Sequence, residues 1–394
     1  MLPFDPSENV INDKYEIINQ IGCGAYASVY KARTKTTGKL VAIKQLKNDR
    51  DQGFPVTSLR EIQLLQEIHH PNIIQLIEVL HANDFIERNT TISLVFEFMP
   101  HDLSSFLKCE EIVSKVAIGQ LKGYMLQILQ AIQFLHSNNI IHRDIKTGNI
   151  LISDDNHIKL GDFGLARKQD DVGIYTNNMV TLWYRPPELL LGETRYKGEV
   201  DMWSVGCVFL EIFKHRPVFH GKTENEQLSK IWEICGTPTD AEWPQFREMK
   251  MFQTIALPTP QKRLLKDVFK GYDPIFMDLI DHLLQLNPKS RFTADEALQH
   301  RYFTGEPRPL KPEEMTKFEP SLESCYRKMQ KEKQINRSDS RERRDDRMNR
   351  RRQEDDFRYQ RANKRGNSFN NRRRTDYSRR DNWRGRRGSN EKFY

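Results

Sequence analysis

Cysteine is scarce in this sequence, and no two cysteines are close enough to form a Cys-x-x-Cys pair. Five occur among 394 residues: Cys23, Cys109, Cys207, Cys235 and Cys325. An odd number at such wide spacing argues against the disulfide framework of a small secreted domain and against a structural zinc site. We therefore expect the chain to work in a reducing compartment, the cytosol or the nucleus.

Long apolar runs are also missing. No segment approaches the roughly 18–20 consecutive apolar residues that a membrane-spanning helix needs. The first ten residues, MLPFDPSENV, contain neither the charged region nor the apolar stretch of a secretory signal peptide. These absences predict a soluble intracellular protein without a membrane partner.

Charge is divided unevenly along the chain, whose formal net charge is +8. Residues 321–394 contain 25 Lys and Arg against 12 Asp and Glu, a net charge of +13. The preceding 320 residues contain 37 basic against 42 acidic residues, a net charge of −5. This division excludes a uniformly basic, histone-like surface. It leaves a mildly acidic globular part of about 300 residues as the place for chemistry.

Periodicity predicts strands in the first part of this globular region. Val41–Ile43 and Ile92–Phe98 are short apolar runs rich in β-branched or aromatic residues, bounded by polar residues or glycine. One helix is predicted between them, because apolar residues recur there at three-residue steps: Leu59, Ile62, Leu65 and Ile68.

After about residue 103 the pattern becomes helical. Apolar residues follow the four- and three-residue spacing of a buried helix face at Leu121, Met125, Ile128, Ile132 and Leu135. Val200–Phe213 and Ile275–Leu286 predict further core helices. A small strand-rich lobe therefore precedes a larger helical lobe, and ligands often bind at such a junction.

The C-terminal part is poor in apolar residues. Proline and charge accumulate from Glu306 to Glu319, and no leucine or valine follows Leu322. Such a segment buries too little apolar surface to offset its ordering entropy. We expect a linker at 304–326 and a disordered, arginine-rich tail at 327–394. The tail's arginine clusters, interleaved with aromatic residues, fit contact with RNA or another polyanion, nuclear targeting, or only a solvated surface.

Two glycines and a lysine suggest a phosphate site in the strand-rich part. Gly22 and Gly24 would let backbone N–H groups approach a phosphate without obstruction by a Cβ. Lys44 ends the run Val-Ala-Ile-Lys twenty residues later and could reach the same phosphates. Taken singly, a plain hairpin and a surface lysine explain these residues equally well.

Residues suited to phosphoryl transfer follow in the helical part. In IHRDIKTGN at 141–149, Asp144 could accept a hydroxyl proton, Lys146 could steady a migrating phosphoryl group and Asn149 could bind a metal. Asp162 begins an Asp-Phe-Gly turn and is a natural Mg²⁺ ligand. Arg-Pro-Pro-Glu stands at 185–188. All these motifs in this order and at these intervals are improbable by chance.

Together the motifs resemble the signature set of eukaryotic protein kinases, over roughly Tyr15 to Phe303. The resemblance implies an α+β, bilobal kinase domain at 15–303, with an N-lobe at about 15–97 and a C-lobe at about 103–303. Further runs are similar to the cyclin-dependent kinases and in part to their transcriptional branch: GFPVTSLRE at 53–61, VFEFMPHDL at 95–103, YTN at 175–177, VTLWYRPPELLLG at 180–192 and CGTP at 235–238.

This resemblance implies ATP and Mg²⁺ as cofactors. Asp144 would take the proton of the substrate hydroxyl, Lys146 would contact the γ-phosphate, and Asn149 and Asp162 would hold the metal. Lys44 would pair with Glu61. The residues expected to bind ATP are Ile21, Gly22, Gly24, Val29, Ala42, Lys44, Glu61, Phe96, Glu97, Met99, Asp102, Leu151 and Asp162.

The resemblance also implies how the kinase would be switched on. A cyclin subunit would press on the helix region Pro55–Glu61 and bring Glu61 to Lys44. Thr176 would be the activating phosphorylation site, and Arg60, Arg143 and Arg167 would gather around its phosphate.

For the substrate, Val180 and Arg185 would form a pocket for a proline directly after the phosphorylated residue. The expected substrates are therefore proteins with Ser/Thr-Pro sites. Glu188 and Arg291 are expected to form a buried ion pair, and Asp201 to brace the catalytic loop.

Two positions depart from the pattern of relatives, one on either side of Tyr26. Ala25 stands where many relatives carry an inhibitory threonine, and Ala27 stands where a third glycine is often found. Tyr26 is open to two interpretations, phosphorylation or packing. Every residue expected to touch metal or phosphate is present, so we expect an active enzyme.

The expected function is a nuclear, cyclin-dependent Ser/Thr kinase that phosphorylates the C-terminal repeats of RNA polymerase II and promotes transcription elongation. One alternative is a kinase-fold scaffold that acts mainly through RNA or partner binding by its basic tail. Another is a mitogen-activated kinase, which the sequence Thr176-Asn-Asn disfavours because it lacks a Thr-x-Tyr pair.

Overall fold

The computed structural model describes residues 8–24, 27–46, 56–84, 89–169, 181–252 and 260–317. These residues form two lobes, the first built on a sheet and the second on helices, which confirms the predicted α+β fold. The tail predicted at 327–394 lies outside the described residues, as do Ala25, Tyr26 and the activation-segment residues Thr176 and Val180.

The N-lobe is a five-stranded antiparallel sheet with the strand order β1-β2-β3-β5-β4. A short helix precedes it and one longer helix lies between β3 and β4. The elements are α1 (Glu8–Lys14), β1 (Tyr15–Cys23), β2 (Ala27–Thr34), β3 (Leu40–Leu46), α2 (Val56–Glu67), β4 (Leu76–Asp84) and β5 (Asn89–Glu97).

Alternation along β3 decides which side chains face the cleft between the lobes. Val41 and Ile43 are buried in a cluster with Tyr15, Ala32 and Val95. Because successive side chains of a strand point to opposite faces, Ala42 and Lys44 lie on the other side of the sheet.

The helix α2 corrects one detail of the predicted apolar stripe. Leu64, Leu65 and Ile68 are buried, but Leu59 is 50% exposed. Three-residue steps advance by less than one turn of an α-helix, so four apolar residues at that spacing spread over half of its circumference. Leu59 therefore lies outside the buried face, and Leu64 takes a place in it.

The C-lobe contains short strands and ten helices among the described residues. The strands are β6 (His101–Asp102), β7 (Ile140–Ile141), β8 (Ile150–Ile152), β9 (Ile158–Leu160) and β10 (Arg167–Lys168). The helices are α3 (Leu103–Leu107), α4 (Glu110–Val113), α5 (Ile118–Ser137), α6 (Pro187–Leu190), α7 (Glu199–Lys214), α8 (Glu224–Cys235), α9 (Leu265–Val268), α10 (Pro274–Leu283), α11 (Ala294–Leu298) and α12 (Arg301–Thr304).

Two helices form the centre of this lobe. The face of α5 predicted from its spacing is buried along its whole length: Leu121, Met125, Ile128, Ile132 and Leu135. In α7 every residue from Val200 to Ile212 is buried, so this helix has no solvent face. None of the described helices is both long and apolar enough to cross a membrane.

Three of the described cysteines, Cys23, Cys207 and Cys235, have free thiols.

The lobes are joined through backbone as well as through the connection after β5. Ile74 donates to the carbonyl of Leu160 at 2.9 Å, and Leu160 donates to the carbonyl of Asn72 at 2.8 Å. The loop between α2 and β4 is thereby bonded to β9 of the C-lobe, which fixes the N-lobe next to the Asp-Phe-Gly turn.

Residues 305–317, which the composition assigned to a linker, lie against α5. Leu310 donates its N–H to the carbonyl of Gly119 at 2.8 Å. The side-chain amide of Gln120 exchanges two hydrogen bonds with the backbone of Thr316, both at 3.2 Å. This close approach depends on glycine at the start of α5. A Cβ on Gly123 would lie 2.2 Å from the Leu310 carbonyl oxygen and 2.3 Å from Cε of Met315.

We predict that Gly123→Ala destabilises the folded chain by about 1–3 kcal/mol, because the added methyl group overlaps backbone and must displace residues 305–317. The measurement is the apparent melting temperature of the full chain. Gly271→Ala is the matched control, since a Cβ there meets no atom within 4 Å. Equal melting temperatures for the two variants would show that residues 305–317 are not held at α5.

Candidate active site

A lysine, a buried glutamate and an aspartate from three separate motifs meet in the cleft. The Nζ of Lys44 lies 2.7 and 3.0 Å from the two carboxylate oxygens of Glu61, and 3.5 Å from Oδ1 of Asp162. Burial lowers the pKa of Lys44, but the negative charges of Glu61 and Asp162 outweigh it, so the pKa lies above its usual value. A charged ammonium group is therefore fixed at the sheet's cleft face.

The catalytic loop is anchored by the buried carboxylate of Asp201 on α7. This carboxylate accepts the backbone N–H groups of His142 and Arg143 at 2.9 and 2.8 Å, and its Oδ2 lies 3.0 Å from Nε2 of His136. Burial by itself raises the pKa of Asp201. Its bond to His136 and the nearby charges lower the pKa by more than burial raises it, so the carboxylate stays ionised. Asp201 thus braces the loop as predicted.

The ring of His142 is fixed in one protonation state. The backbone N–H of Asp144 donates to Nδ1 at 3.2 Å, so Nδ1 must be an acceptor. Nε2 lies 3.1 Å from the carbonyl oxygen of Gly161 and therefore carries the proton. Burial lowers the pKa of His142 despite the neighbouring carboxylates. The ring also packs edge-on against Phe163, with centroids 4.9 Å apart.

Around Asp144 the structure brings together the predicted catalytic residues. Lys146 donates to Oδ2 of Asp144 at 2.6 Å, and the amide of Asn149 donates to the Asp144 carbonyl and to Oδ2 at 2.8 and 2.9 Å. A carboxylate held beside an ammonium group, near the cleft surface, can orient a substrate hydroxyl and accept its proton.

Thr181 belongs to this cluster and was missed in the sequence. Its hydroxyl donates to Oδ1 of Asp144 at 2.8 Å and lies 3.2 Å from Nζ of Lys146. The available signal was its place directly after Val180, the first residue of the predicted proline pocket. A threonine in a loop has no periodicity, so only that adjacency pointed to it.

Asn149 and Asp162 fit the role of metal ligands by their chemistry. Since the amide nitrogen of Asn149 is used by Asp144, its oxygen is the group that can face a cation. Burial raises the pKa of Asp162, but the charges of Lys44 and Lys146 and a hydrogen bond from the Gly164 backbone help to lower it by more, and the pKa lies below its usual value. An ionised carboxylate and an amide oxygen are the donors that Mg²⁺ prefers.

Asp162 is held by its backbone as well. Its φ of 56° lies in the left-handed region, which a non-glycine residue rarely adopts. The Asp-Phe-Gly turn continues as a 3₁₀ turn over Phe163–Leu165, and Phe163 is fully buried. This conformation turns the carboxylate towards Lys44.

The expected nucleotide-binding residues surround the same cleft. In the sheet Val29 is paired with Gly22 and with Lys44, and Ala42 with Phe96. Gly24 donates to the carbonyl of Ala27 at 2.8 Å and closes the turn after β1. Ile21 is largely exposed, Phe96 is buried, and Met99 and Leu151 are half-buried.

Two of the expected ATP contacts have their carboxylates engaged elsewhere. Glu97 accepts from Lys159 of β9 at 2.9 Å and from the backbone N–H of Gln75 at 2.8 Å. Asp102 caps α3, accepting the backbone N–H and the hydroxyl of Ser105 at 2.9 and 2.8 Å. The adenine contact expected of Glu97 is made by its backbone. Its side chain can therefore bond to Lys159 of the C-lobe without competing with that contact.

Of the three arginines expected around Thr176, two have bonds to backbone nearby. Arg143 donates to the carbonyl of Leu165 at 2.7 Å, and Arg167 donates to the carbonyl of Ala166 at 2.7 Å. Arg60 is exposed on α2.

Arg185 of the expected substrate pocket and Glu188 of the expected scaffold pair are both engaged in ion pairs. Arg185, only 6% exposed, forms an ion pair with Glu224 at the start of α8. The predicted ion pair between Glu188 and Arg291 is confirmed: it is bidentate, with N···O distances of 2.9 and 3.0 Å, and fully buried.

Comparison with known proteins agrees with this geometry. Residues 15–303 match the protein kinase domain family. The chain is 40% identical to cyclin-dependent kinase C-1 of Oryza sativa subsp. japonica over 344 residues, 83% of this chain and 65% of that protein. It is 42% identical to cyclin-dependent kinase 9-A of Xenopus laevis over 310 residues, 75% of this chain and 82% of that protein.

A solved structure gives the same result. The structure of the yeast RNA polymerase II CTD kinase CTDK-1 complex matches with a TM-score of 0.70 and 41% identity, over 76% of this chain and 95% of that one. The chain belongs to the protein kinase family. Within it, the chain is a cyclin-dependent kinase of the transcriptional type, similar to the plant C-type kinases and to cyclin-dependent kinase nine.

The match to several relatives is partial in length. The chain spans 63–65% of the plant C-type kinases from Oryza sativa subsp. japonica and Arabidopsis thaliana that it resembles.

We predict that His142 stays neutral, with its proton on Nε2, down to a pH well below 6.5. The unfolded chain binds a second proton on this imidazole near the usual pKa of about 6.5, and the folded chain does not. The free energy of unfolding therefore falls as the pH falls below that value. The measurement is NMR of the histidine-labelled chain, with the His142 signal assigned by its loss in His142→Gln. A His142 signal that titrates near pH 6.5, or shows the proton on Nδ1, would contradict the prediction.

Proposed function

We propose that this chain is a cyclin-dependent Ser/Thr protein kinase that transfers the γ-phosphoryl group of ATP to Ser/Thr-Pro sites. We further propose that its substrate is the C-terminal repeat domain of RNA polymerase II, and that it acts in the nucleus to promote transcription elongation. The observation that carries the proposal is the cluster of Asp144, Lys146 and Thr181 beside the Lys44–Glu61–Asp162 group. The substrate rests on the relatives and on the CTD kinase with similar structure.

In this mechanism the chain's own residues mainly position groups and neutralise charge. Lys44, held by Glu61, binds the α- and β-phosphates. Asn149 and Asp162 would hold Mg²⁺, which would supply positive charge against the phosphates. The glycine turn at Gly22–Gly24 lets the backbone approach the same region without obstruction by a Cβ.

Asp144 then orients the substrate hydroxyl and takes its proton as the oxygen attacks phosphorus. Lys146 lies within 2.6 Å of Asp144 and balances the negative charge of the moving phosphoryl group. Thr181 holds Asp144 and Lys146 in one geometry, because its hydroxyl is within hydrogen-bond distance of both. Catalysis by such a base typically contributes about 10²–10⁴-fold in rate.

The proposed preference for proline rests on Arg185 and on Val180, which lies outside the described residues. Arg185 is positioned by Glu224 and follows directly on the 3₁₀ turn Leu182–Tyr184. Thr176, phosphorylated, is proposed to draw Arg60, Arg143 and Arg167 together and so to order the segment that carries this pocket.

We predict that the chain, with its cyclin and Mg-ATP, phosphorylates a peptide of YSPTSPS repeats, and that Asp144→Asn lowers the rate by about 10²–10⁴-fold. The measurement is phosphate incorporation, with equal melting temperatures showing that the variant is folded. A peptide of YSATSAS repeats is the control for proline. If wild type and Asp144→Asn are equally active, the proposed mechanism is wrong. If both peptides react equally, the proposed substrate preference is wrong.

The cyclin is proposed to bind α2 on its exposed side. Leu59 supports this, because a leucine that is 50% exposed on a helix otherwise packed on the lobe offers an apolar contact. The same helix carries Glu61, whose carboxylate is 4% exposed and bound to Lys44. Pressure on α2 would therefore act directly on the Lys44–Glu61 pair.

We predict that Leu59→Glu raises the cyclin concentration needed for half-maximal activity by about tenfold or more, as expected for the loss of a buried apolar interface contact. The measurement is peptide phosphorylation against the concentration of the cyclin that co-purifies with the chain. Val268→Glu is the matched control, because Val268 is 53% exposed on α9, in the other lobe. Full activity without cyclin, or the same shift in both variants, would contradict the proposal.

The alternative of a kinase-fold scaffold depends on the tail at 327–394, as do contact with RNA or another polyanion and the nuclear targeting signal. Those residues lie outside the described part of the chain. These three expectations therefore stay predictions from composition.

A further inference from the structure

Three buried side chains from three different elements meet beneath the proposed substrate site, where two hydroxyl groups donate to one carboxylate. The hydroxyl of Thr147 lies 3.1 Å from the hydroxyl of Tyr184 and donates to Oε1 of Glu211 at 3.1 Å. Tyr184 donates to Oε2 of Glu211 at 2.6 Å. We call these residues the Thr147–Tyr184–Glu211 ring.

The ring is well isolated from solvent. Thr147, Tyr184 and Glu211 are 2%, 5% and 5% exposed. Burial and the nearby carboxylate of Glu211 raise the pKa of Tyr184, so its phenol stays a donor. In such surroundings a polar group left without its partner is costly, and the three groups therefore hold one another in place.

The three residues belong to the catalytic loop, to the segment before the proposed proline pocket and to helix α7. Thr147 follows Lys146 and begins the 3₁₀ turn that ends at Asn149, so it belongs to the catalytic loop. Tyr184 ends the 3₁₀ turn Leu182–Tyr184 and directly precedes Arg185 of the proposed proline pocket. Glu211 lies on helix α7, which is buried from Val200 to Ile212 at the centre of the lobe.

Other contacts already hold Tyr184 to α7. Its phenol is bonded to Glu211, and its carbonyl accepts the hydroxyl of Ser204 at 2.9 Å. Thr147 is the member of the ring that belongs to the catalytic loop, and its hydroxyl bonds that loop to Glu211. Without its hydroxyl, Tyr184 and Glu211 remain paired with each other. Thr181 still joins Asp144 and Lys146 to the start of this segment, but the catalytic loop is no longer held to the carboxylate that fixes Tyr184, next to the pocket.

We propose that Thr147 is a positioning residue that sets the proline pocket relative to Asp144, through its hydroxyl bond to Glu211, which also holds Tyr184. The inference rests on the proposed function and deepens it. A substrate is held by its proline on one side and must present its hydroxyl to Asp144 on the other. The distance between these two points is set by how the catalytic loop and the pocket segment are joined, and an error of about 1 Å in such a distance can cost on the order of 10²-fold in rate.

The test compares Thr147→Val, which keeps the shape but removes the hydroxyl, with Thr147→Ser, which keeps the hydroxyl. In the cyclin complex, Thr147→Val should lower kcat/KM for the YSPTSPS peptide by about tenfold and reduce the preference over the YSATSAS peptide, with KM for ATP unchanged. Thr147→Ser should restore most of both. Tyr184→Phe should resemble Thr147→Val, and the double variant should be less than additive, because both changes break the same ring.

Two controls separate positioning from loss of stability and from failure of the proposed function. Gly123→Ala changes the same lobe at α5 and should lower the melting temperature without changing the proline preference. Hydrogen exchange of residues 182–186 is measured in all variants, and should be faster in Thr147→Val than in wild type or Thr147→Ser.

The outcomes are distinct. An unchanged proline preference in Thr147→Val, or a change equal to that in Gly123→Ala, overturns the inference. If wild type phosphorylates neither peptide, the proposed function is wrong, and the exchange data then decide whether Thr147 holds the segment. Exchange at 182–186 that is the same in Thr147→Val and wild type overturns the inference in that case.

Discussion

The buried carboxylate of Asp201 is the interaction on which the rest of the site depends. It lies in the first turn of α7, a helix without a solvent face, and it accepts two consecutive backbone N–H groups of the catalytic loop. These two N–H groups are bonded to a buried anion. The path of the loop's backbone is therefore fixed by Asp201 and does not depend on the loop's own side chains. Arg143 adopts a positive φ of 67° there, a conformation that these bonds offset.

Further side chains of α7 extend the same anchoring to other segments. Ser204 bonds the carbonyl of Tyr184, and Glu211 bonds Thr147 and Tyr184. The carbonyl of Glu199 accepts from Arg291, whose guanidinium also holds Glu188. The helix is apolar enough to be buried over most of its length, and Asp201, Ser204 and Glu211 each position a loop. Catalytic geometry in the C-lobe is thus set by rigid core structure, whereas the loops contribute the reacting groups.

The N-lobe part of the site was predictable from sequence because alternation in a strand is a strict rule. Val41 and Ile43 face the core, so Lys44 must face the cleft, and Glu61 meets it from a helix on that side. The catalytic residues were predictable for another reason: phosphoryl transfer demands particular groups in a particular order. The buried face of α5 followed from its spacing, which twenty helical residues make unambiguous.

What could not be predicted depends on contacts between distant segments. Thr181 and Thr147 are hydroxyl residues in loops, and nothing in their neighbourhood tells that one meets Asp144 and the other Glu211. The packing of residues 305–317 on α5 was hidden because their proline and charge suit a linker. Its only trace in the sequence is a pair of glycines one helical turn apart, Gly119 and Gly123, which local propensity alone would count as weak points of the helix.

The charges in the cleft explain why the proposed reaction needs a divalent cation. Lys44 and Lys146 supply two positive charges, but each already lies against a carboxylate, and the same region holds Glu61, Asp144 and Asp162. The formal balance is negative before any nucleotide enters, and a triphosphate adds more negative charge. At the short distances and reduced dielectric of a cleft, repulsion between these groups would exceed what the two lysines offset. Oxygen ligands on Asn149 and Asp162 would admit cations at this place, so the carboxylates that otherwise oppose nucleotide binding become the means of achieving it.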